Sequence, residues 1–376
     1  MAVLDFPFVA FSMGGLTTLA AAFFLWRTQS LHGRFSHDGA CGIQKFHTQP
    51  TPRIGGLALL LGLIVAWKTA PGPVAHLLGP MLLAASLAFG AGFAEDLTKR
   101  VSVRDRLLAT MGSGLLAALL TGTYLTRVDV WVIDDLLAWM PVAVAFTVFA
   151  VAGVANAVNI IDGFNGLAGG VLVIAFAAMG WIAWQVGDTT LFRLCLILEA
   201  VTLGFLLVNF PFGKIFLGDG GAYLMGFLLA WTAVLLAMRN PGVSVWAPLL
   251  CCGYPVLETG FSMARRHARS CQAGQPDRLH LHSLIHLRVS RKKFRHLSPT
   301  LRNAAVAPFS WGYALLPAGL AVLFFNDTPA LIASFLFCAF VYACCYTRLT
   351  CFRWKWPSFR TSRPAVEKAA QTVVQH

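Results

Sequence analysis

Apolar runs of about 20 residues recur along this chain, and no other feature restricts its fold so strongly. In hydrocarbon there is no water to satisfy backbone N–H and C=O groups, so each run must close its own hydrogen bonds as a helix. Eleven runs stand out, near residues 7–26, 54–71, 77–94, 107–125, 140–158, 167–186, 191–209, 220–238, 245–263, 304–325 and 329–347. Only 12% of residues are charged, against roughly a quarter in soluble domains. Soluble enzyme classes are thereby excluded. The expected fold is all-α, a polytopic integral membrane protein with about eleven transmembrane helices and cytoplasmic catalytic loops. The first run has neither a basic stretch before it nor a small-residue cleavage site after it, and it is read as a retained anchor. Residues 1–347 are expected to form a single transmembrane catalytic domain, followed by a basic tail over 348–376.

The net charge of +13 raises the question of nucleic acid, and its distribution answers it. With the connections numbered alternately, all of the 29 Lys and Arg except Lys68, Arg127, Arg193 and Arg239 fall on one set. By the positive-inside rule that set is cytoplasmic, the N-terminus is outside and the tail is inside. The cytoplasmic loops are then 27–53, 95–106, 156–166, 210–219 and 264–303. Basic residues at these positions face anionic headgroups, so membrane lipids are expected partners and nucleic acid is not. The nine cysteines show no zinc spacing, with Cys251 beside Cys252 and Cys344 beside Cys345. Neither disulfides nor a metal cage is inferred from them.

The acids repeat the asymmetry independently. Asp129, Asp134, Asp135, Asp188 and Asp327 fall in connections assigned outside, where solvation accounts for them. Glu95, Asp96, Asp162, Asp219 and Asp277 all fall at the cytoplasmic side. Residues 156–170 read NAVNIIDGFNGLAGG, a polar run that begins inside an apolar span. Such groups are costly in a membrane unless they line a cavity or one another. Residues 216–221 read FLGDGG at the start of the eighth span, where Asp219 can cap the helix, bind a metal, or flank a phosphate at the helix N-terminus. The ninth-span loop carries PDRLHLHSLI over 276–285, in which alternating His280 and His282 suit a short extended segment. His286 is nearby, but no regular third and fourth ligand completes a zinc site. Flanking arginines offer planar forks to diphosphate oxygens.

Taken in order, PTPRIGG (50–56), GFAEDLTKR (92–100), NAVNIIDGFNGLAGG, FLGDGGAYLMG (216–226) and PDRLHLHSLI resemble the polyprenyl-phosphate N-acetylhexosamine-1-phosphate transferase family, glycosyltransferase family 4. The resemblance covers roughly residues 45–290. It implies a Mg²⁺-dependent enzyme of a bacterial inner membrane, with Mn²⁺ as an alternative ion. The implied reaction moves a sugar-1-phosphate from a UDP-sugar to undecaprenyl phosphate, releases UMP and initiates a cell-surface polysaccharide. Carried over by position, Glu95, Asp96, Asp162, His280 and His282 are expected catalytic residues. Asp219, Asp96 and Asp162 are the expected metal ligands. Phe216 matches an aromatic that stacks on uracil, and Asn209 lies where a base contact is expected. Asn159, Asn165, Lys45, His47 and Arg278 complete the expected substrate contacts, with Arg53 a further candidate near the phosphates.

Three positions depart from the family pattern: Glu95 stands for an Asp, Asn165 for the second Asp of a DGxDG pattern, and Ser283 for the third His of HxHH. PTPRIGG resembles the branch using simple N-acetylhexosamines more than the branch that loads the muramoyl pentapeptide, which remains the alternative. Glu199 and Glu258 lie at membrane depth, where acids pair with a neighbouring helix or lie near a wet surface, or else mark the pathway of a transporter or flippase, although no repeated halves accompany them. A catalytically inactive scaffold and a homodimer are the remaining open readings.

Overall fold

The computed structural model describes residues 7–38, 50–268 and 279–351. The chain begins with α1 (Phe8–Arg27) and α2 (Gln29–Ser36), and a two-residue antiparallel pairing of β1 (His37–Asp38) with β2 (Thr51–Pro52) folds it back. There follow α3 (Gly55–Thr69), α4 (Gly72–Thr98), α5 (Val103–Thr121), a short α6 (Trp131–Leu137), α7 (Met140–Ile161), α8 (Leu167–Gln185), α9 (Thr189–Asn209) and α10 (Gly218–Arg239). The last part comprises α11 (Trp246–Cys251), α12 (Gly253–Ala268), α13 (Leu281–Ile285), one π turn over His286–Ser290, α14 (Arg291–Lys293), α15 (Pro299–Ala304), α16 (Val306–Leu323) and α17 (Thr328–Thr350).

The protein is an all-α polytopic membrane protein. Every expected span coincides with a helix, and eight stretches are long and apolar enough to cross a bilayer, the last but one being the run of α15 and α16. The other three differ for local reasons. Helix α3 has only 15 residues. A capping box between Ser102 and Asp105 starts α5 at Val103, earlier than expected, and so brings Arg104, Asp105 and Arg106 into its first turn. The span expected over 245–263 is broken between α11 and α12, where Gly253 and Pro255 follow one another closely; proline has no N–H to continue the ladder.

Helix α10 is the hub, and nearly all of its residues are buried. Small residues let its backbone approach its neighbours closely, the usual basis of helix association in lipid. A Cβ on Gly56 of α3 would overlap the Gly221 nitrogen, and one on Gly92 of α4 would lie 2.6 Å from the Asp219 carbonyl oxygen. Hub packing therefore gathers the ends of α3, α4 and α7 around the start of α10. Two loop expectations are revised accordingly. Most of 95–106 is helical, and Asn156 and Asn159 belong to the last turns of α7.

Candidate active site

Two glycine-rich segments are joined through their backbones. Gly55 N–H and Gly56 N–H donate to the carbonyls of Phe216 and Leu217 (both 3.0 Å), and Phe216 N–H donates to Pro52 O at 2.8 Å. The first N–H groups of α3 are thus satisfied by the strand of chain that leads into α10. Gly218 then turns the backbone at φ +74°, where a Cβ would also fall 2.6 Å from Asp96 Oδ2. Only glycine meets both conditions.

Asp96, on the last turns of α4, spends both carboxylate oxygens on the next two residues. Its Oδ1 accepts the Asp219 N–H and its Oδ2 the Gly220 N–H, each at 2.9 Å. Its 1% exposure makes this a buried N-cap supplied by another helix. Asp219 itself points its side chain into a cluster of donors. Its Oδ1 accepts from Arg53 Nη2 at 3.0 Å and Asn159 Nδ2 at 3.2 Å, and its Oδ2 from Arg106. Arg53 Nε also lies 3.5 Å from Asp96 Oδ1. Asp162, the residue that ends α7, accepts the Gly218 N–H. Burial pushes its carboxyl up to about 7 and the neighbouring Asp96 adds to the rise, against the lowering effects of Arg53 and of the Gly218 hydrogen bond. Three acids from distant parts of the chain therefore share one guanidinium, that of Arg53.

Beside this network, Trp26, Thr51, Asn165, Lys214, Phe216 and Asn303 are among the residues lining a polar cavity of about 430 Å³. Asn165 is tied to it from behind, its N–H donating to Asn303 Oδ1 (2.9 Å) and its Nδ2 to Pro211 O (3.1 Å). The histidines approach from the other side. His280 is extended, at φ −67° and ψ 149°, and His282 lies in α13, so the segment is not extended throughout as expected. Their rings nevertheless stack at 5.2 Å and 7°. His282 Nε2 would be 3.7 Å from a Cβ on Gly163, which places it against the turn that carries Asp162.

The model of the glycosyl transferase family 4 matches residues 78–237, which hold the second, third and fourth of these motifs. This chain belongs to that family. A Bacillus subtilis (strain 168) relative, a "probable undecaprenyl-phosphate N-acetylglucosaminyl 1-phosphate transferase", is 30% identical over 246 residues, 64% of this chain and 66% of the relative. An undecaprenyl-phosphate alpha-N-acetylglucosaminyl 1-phosphate transferase of Yersinia pestis is 27% identical over 251 residues, 64% of this chain and 67% of the relative. The Escherichia coli (strain K12) protein of the same description is 26% identical over 312 residues, 81% of this chain and 82% of the relative. The first two alignments thus span about two thirds of each relative's length.

Within this family 4 chain, the expected site residues divide into distinct groups. Asp96, Asp162, Asp219 and Asn159 meet around Arg53. Phe216 and Asn165 line the cavity. Asn209 turns inward instead: its Oδ1 accepts the Gly166 N–H at 2.6 Å and its Nδ2 donates to Ile215 O at 2.7 Å, so it clamps two loops together and is not among the residues lining the cavity. Glu95 accepts the Val101 N–H at 2.8 Å, which closes the turn between α4 and α5. Lys45, His47 and Arg278 lie outside the described residues.

Among the described residues, no group of three or more His, Cys, Asp or Glu side chains is arranged to hold a metal ion. The acids expected to share a cation lie together around Arg53, and their oxygens face backbone N–H groups, arginines and Asn159. Asp96 in particular has each oxygen engaged by one N–H as a cap, which shapes the helix start. The donor chemistry of the other two still fits a hard divalent ion, since carboxylate oxygens are its preferred ligands. Two residues of the candidate site were not assigned to it from the sequence. Arg106 could have been noticed as a cation in the first turn of a helix, where the dipole disfavours it. Glu258 was read as a membrane-depth acid. It accepts from His280 Nδ1 at 3.0 Å and ties the histidine segment to α12.

Proposed function

We propose that this protein transfers a sugar-1-phosphate from a UDP-sugar to undecaprenyl phosphate, releasing UMP, to initiate a cell-surface polysaccharide. The observation that carries this reading is the convergence of Asp96, Asp162 and Asp219 on Arg53, which pairs acids with a diphosphate-binding cation at one end of the helix bundle. The preferred donor is UDP-GlcNAc or a related UDP-2-acetamido sugar, in keeping with the N-acetylglucosaminyl 1-phosphate transferases to which the chain is similar and with the PTPRIGG segment. The polar cavity beside Phe216 is of a size to take a nucleotide, with Phe216 as the surface for the base. The site faces the cytoplasm in this reading, because the basic residues that mark that side flank the same helix ends.

The chemistry is a direct displacement. An oxygen of the lipid phosphate attacks the sugar-linked phosphorus, the bond from that phosphorus to the bridging oxygen breaks, and UMP leaves with that oxygen and the electron pair. Such a transfer depends on positioning and electrostatic stabilisation more than on a strong base, since a phosphomonoester with a second pKa near 6 is already largely ionised at pH 7. Arg53 and Arg106 supply forked donors for the phosphate oxygens, and His280 and His282 add donors from the opposite wall. Asp219 and Asp162 would hold Mg²⁺, or Mn²⁺ in its place. Bound there, the ion would supply neutralisation of the phosphate charge. Asp96 fixes the backbone of Asp219, and Asn159 orients its side chain.

Membranes containing the protein, labelled UDP-GlcNAc, undecaprenyl phosphate and Mg²⁺ should release UMP, and Asp219→Ala and Asp162→Ala should not. Full activity in either variant would overturn the site. A panel of UDP-sugars on the purified protein identifies the donor.

A further inference from the structure

His280 and His282 are held in place by a buried acid. Glu258, on the second turn of α12, is 1% exposed. Its Oε1 accepts from His280 Nδ1 at 3.0 Å and from the Leu281 N–H at 3.1 Å. Its Oε2 lies 3.6 Å from His282 Nδ1. One carboxylate therefore faces the same nitrogen of both rings, and it also fixes the backbone between them. The rings it holds are coplanar to within 7°. Tyr254, one turn earlier on α12, adds its hydroxyl at 3.4 Å from His282 Nδ1.

A carboxylate accepts and does not donate, so a ring nitrogen that faces it carries the proton. In His282 the other nitrogen, Nε2, lies against the Asp162 turn. We propose that Glu258 is a positioning residue: it fixes His280 and His282 as a stacked pair protonated at Nδ1, held against the turn that carries Asp162. This rests on the phosphosugar-transfer reading for what the pair meets, but not for how it is held. Sequence position alone made Glu258 resemble an acid of an ion pathway. Its partners in the fold are the two histidines.

The break between α11 and α12 is part of the device. It redirects α12 so that Glu258 lies against the start of α13, and Arg265, two turns further on, donates to Tyr346 at 2.6 Å and also to Leu279 O. The histidine segment is thus held to α12 at two points, before and after His280.

The test is Glu258→Gln in the full-length protein. Glutamine has one acceptor oxygen, so it can keep at most one of the two rings as the Nδ1–H form. Nitrogen-15 NMR of histidine-labelled protein in detergent, with the two rings assigned from His280→Gln and His282→Gln, reads the tautomer directly. The expected result is that at least one ring changes its protonated nitrogen, and that kcat for UMP release falls about ten- to hundredfold, the usual effect of losing an orienting partner. KM for UDP-GlcNAc should stay within about twofold, because the histidines orient phosphate rather than hold the nucleotide. Glu258→Asp keeps a charged acceptor and should retain both Nδ1–H signals and recover part of kcat. It also serves if the glutamine variant does not fold. Unchanged ring signals in Glu258→Gln, or in Glu258→Asp signals that have moved to Nε2–H, overturn the proposal. If the unaltered protein releases no UMP, the function reading fails instead, and the NMR comparison still decides the role of Glu258.

Discussion

The Asp96 carboxylate caps the helix that begins at Asp219, with the two residues 123 positions apart in the chain. An acid expected to bind a cation orients another acid. It does so from inside the bundle, where an unsatisfied helix N-terminus would be costly.

Asp96→Ala should therefore lose stability as well as activity. Two buried N–H groups would be left without their acceptor, a loss of about 1–3 kcal/mol. Thermal unfolding in detergent should show a lower midpoint, and UMP release should fall with it. Asp96→Asn keeps one acceptor oxygen and should lie between the two.

Arg106 and a divalent cation compete for the same side chain in the proposed mechanism. Arg106→Ala removes a positive group from Asp219 Oδ2. The expected outcome is a lower kcat, because a phosphate donor is lost, together with tighter apparent Mg²⁺ binding by about tenfold, equivalent to ~1.4 kcal/mol. Mg²⁺ titration of the rate separates the two effects. Weaker Mg²⁺ binding in this variant would argue against competition.

Asp162 gives the pH dependence. Its carboxyl is pushed up to about 7 from 3.8, so below neutrality the folded protein holds a proton there that the unfolded chain releases. Its contribution to stability is full below the unfolded value near 3.8 and is lost as pH rises through about 7. The same proton opposes a cation. Apparent Mg²⁺ affinity should fall about tenfold for each pH unit below 7 and level off above it. In Asp162→Asn this slope should vanish.

Close packing of α10 gives a prediction about glycines. Gly56→Ala places a methyl group into the Gly221 backbone, and overpacking of this kind costs about 1–3 kcal/mol. Gly153, on α7, has no atom within 4 Å of its would-be Cβ, so Gly153→Ala should leave folding and activity unchanged. Comparing melting midpoints of the two variants checks the hub directly.

The helices were legible because their signal is local. A run such as 167–186 can cross hydrocarbon only as a helix, and charged residues at its ends say where it stops. The glycine-rich motifs were legible for a similar reason, since Gly55, Gly56 and Gly218 serve contacts that any side chain would block. What each polar group faces is another matter. Asn209 and Glu95 read as substrate or catalytic groups, yet one clamps two loops and the other closes a turn, because short polar side chains serve backbone and ligand equally well. Glu258 read as an acid at membrane depth whose partner the sequence did not name, and the redirected α12 brings it to the histidines. The chain's order of residues determined that it lives in lipid and where its acids enter. Three-dimensional packing around α10 decided which of those acids meet, since a carboxylate's role depends on the donors brought to it and those come from segments far away in the sequence.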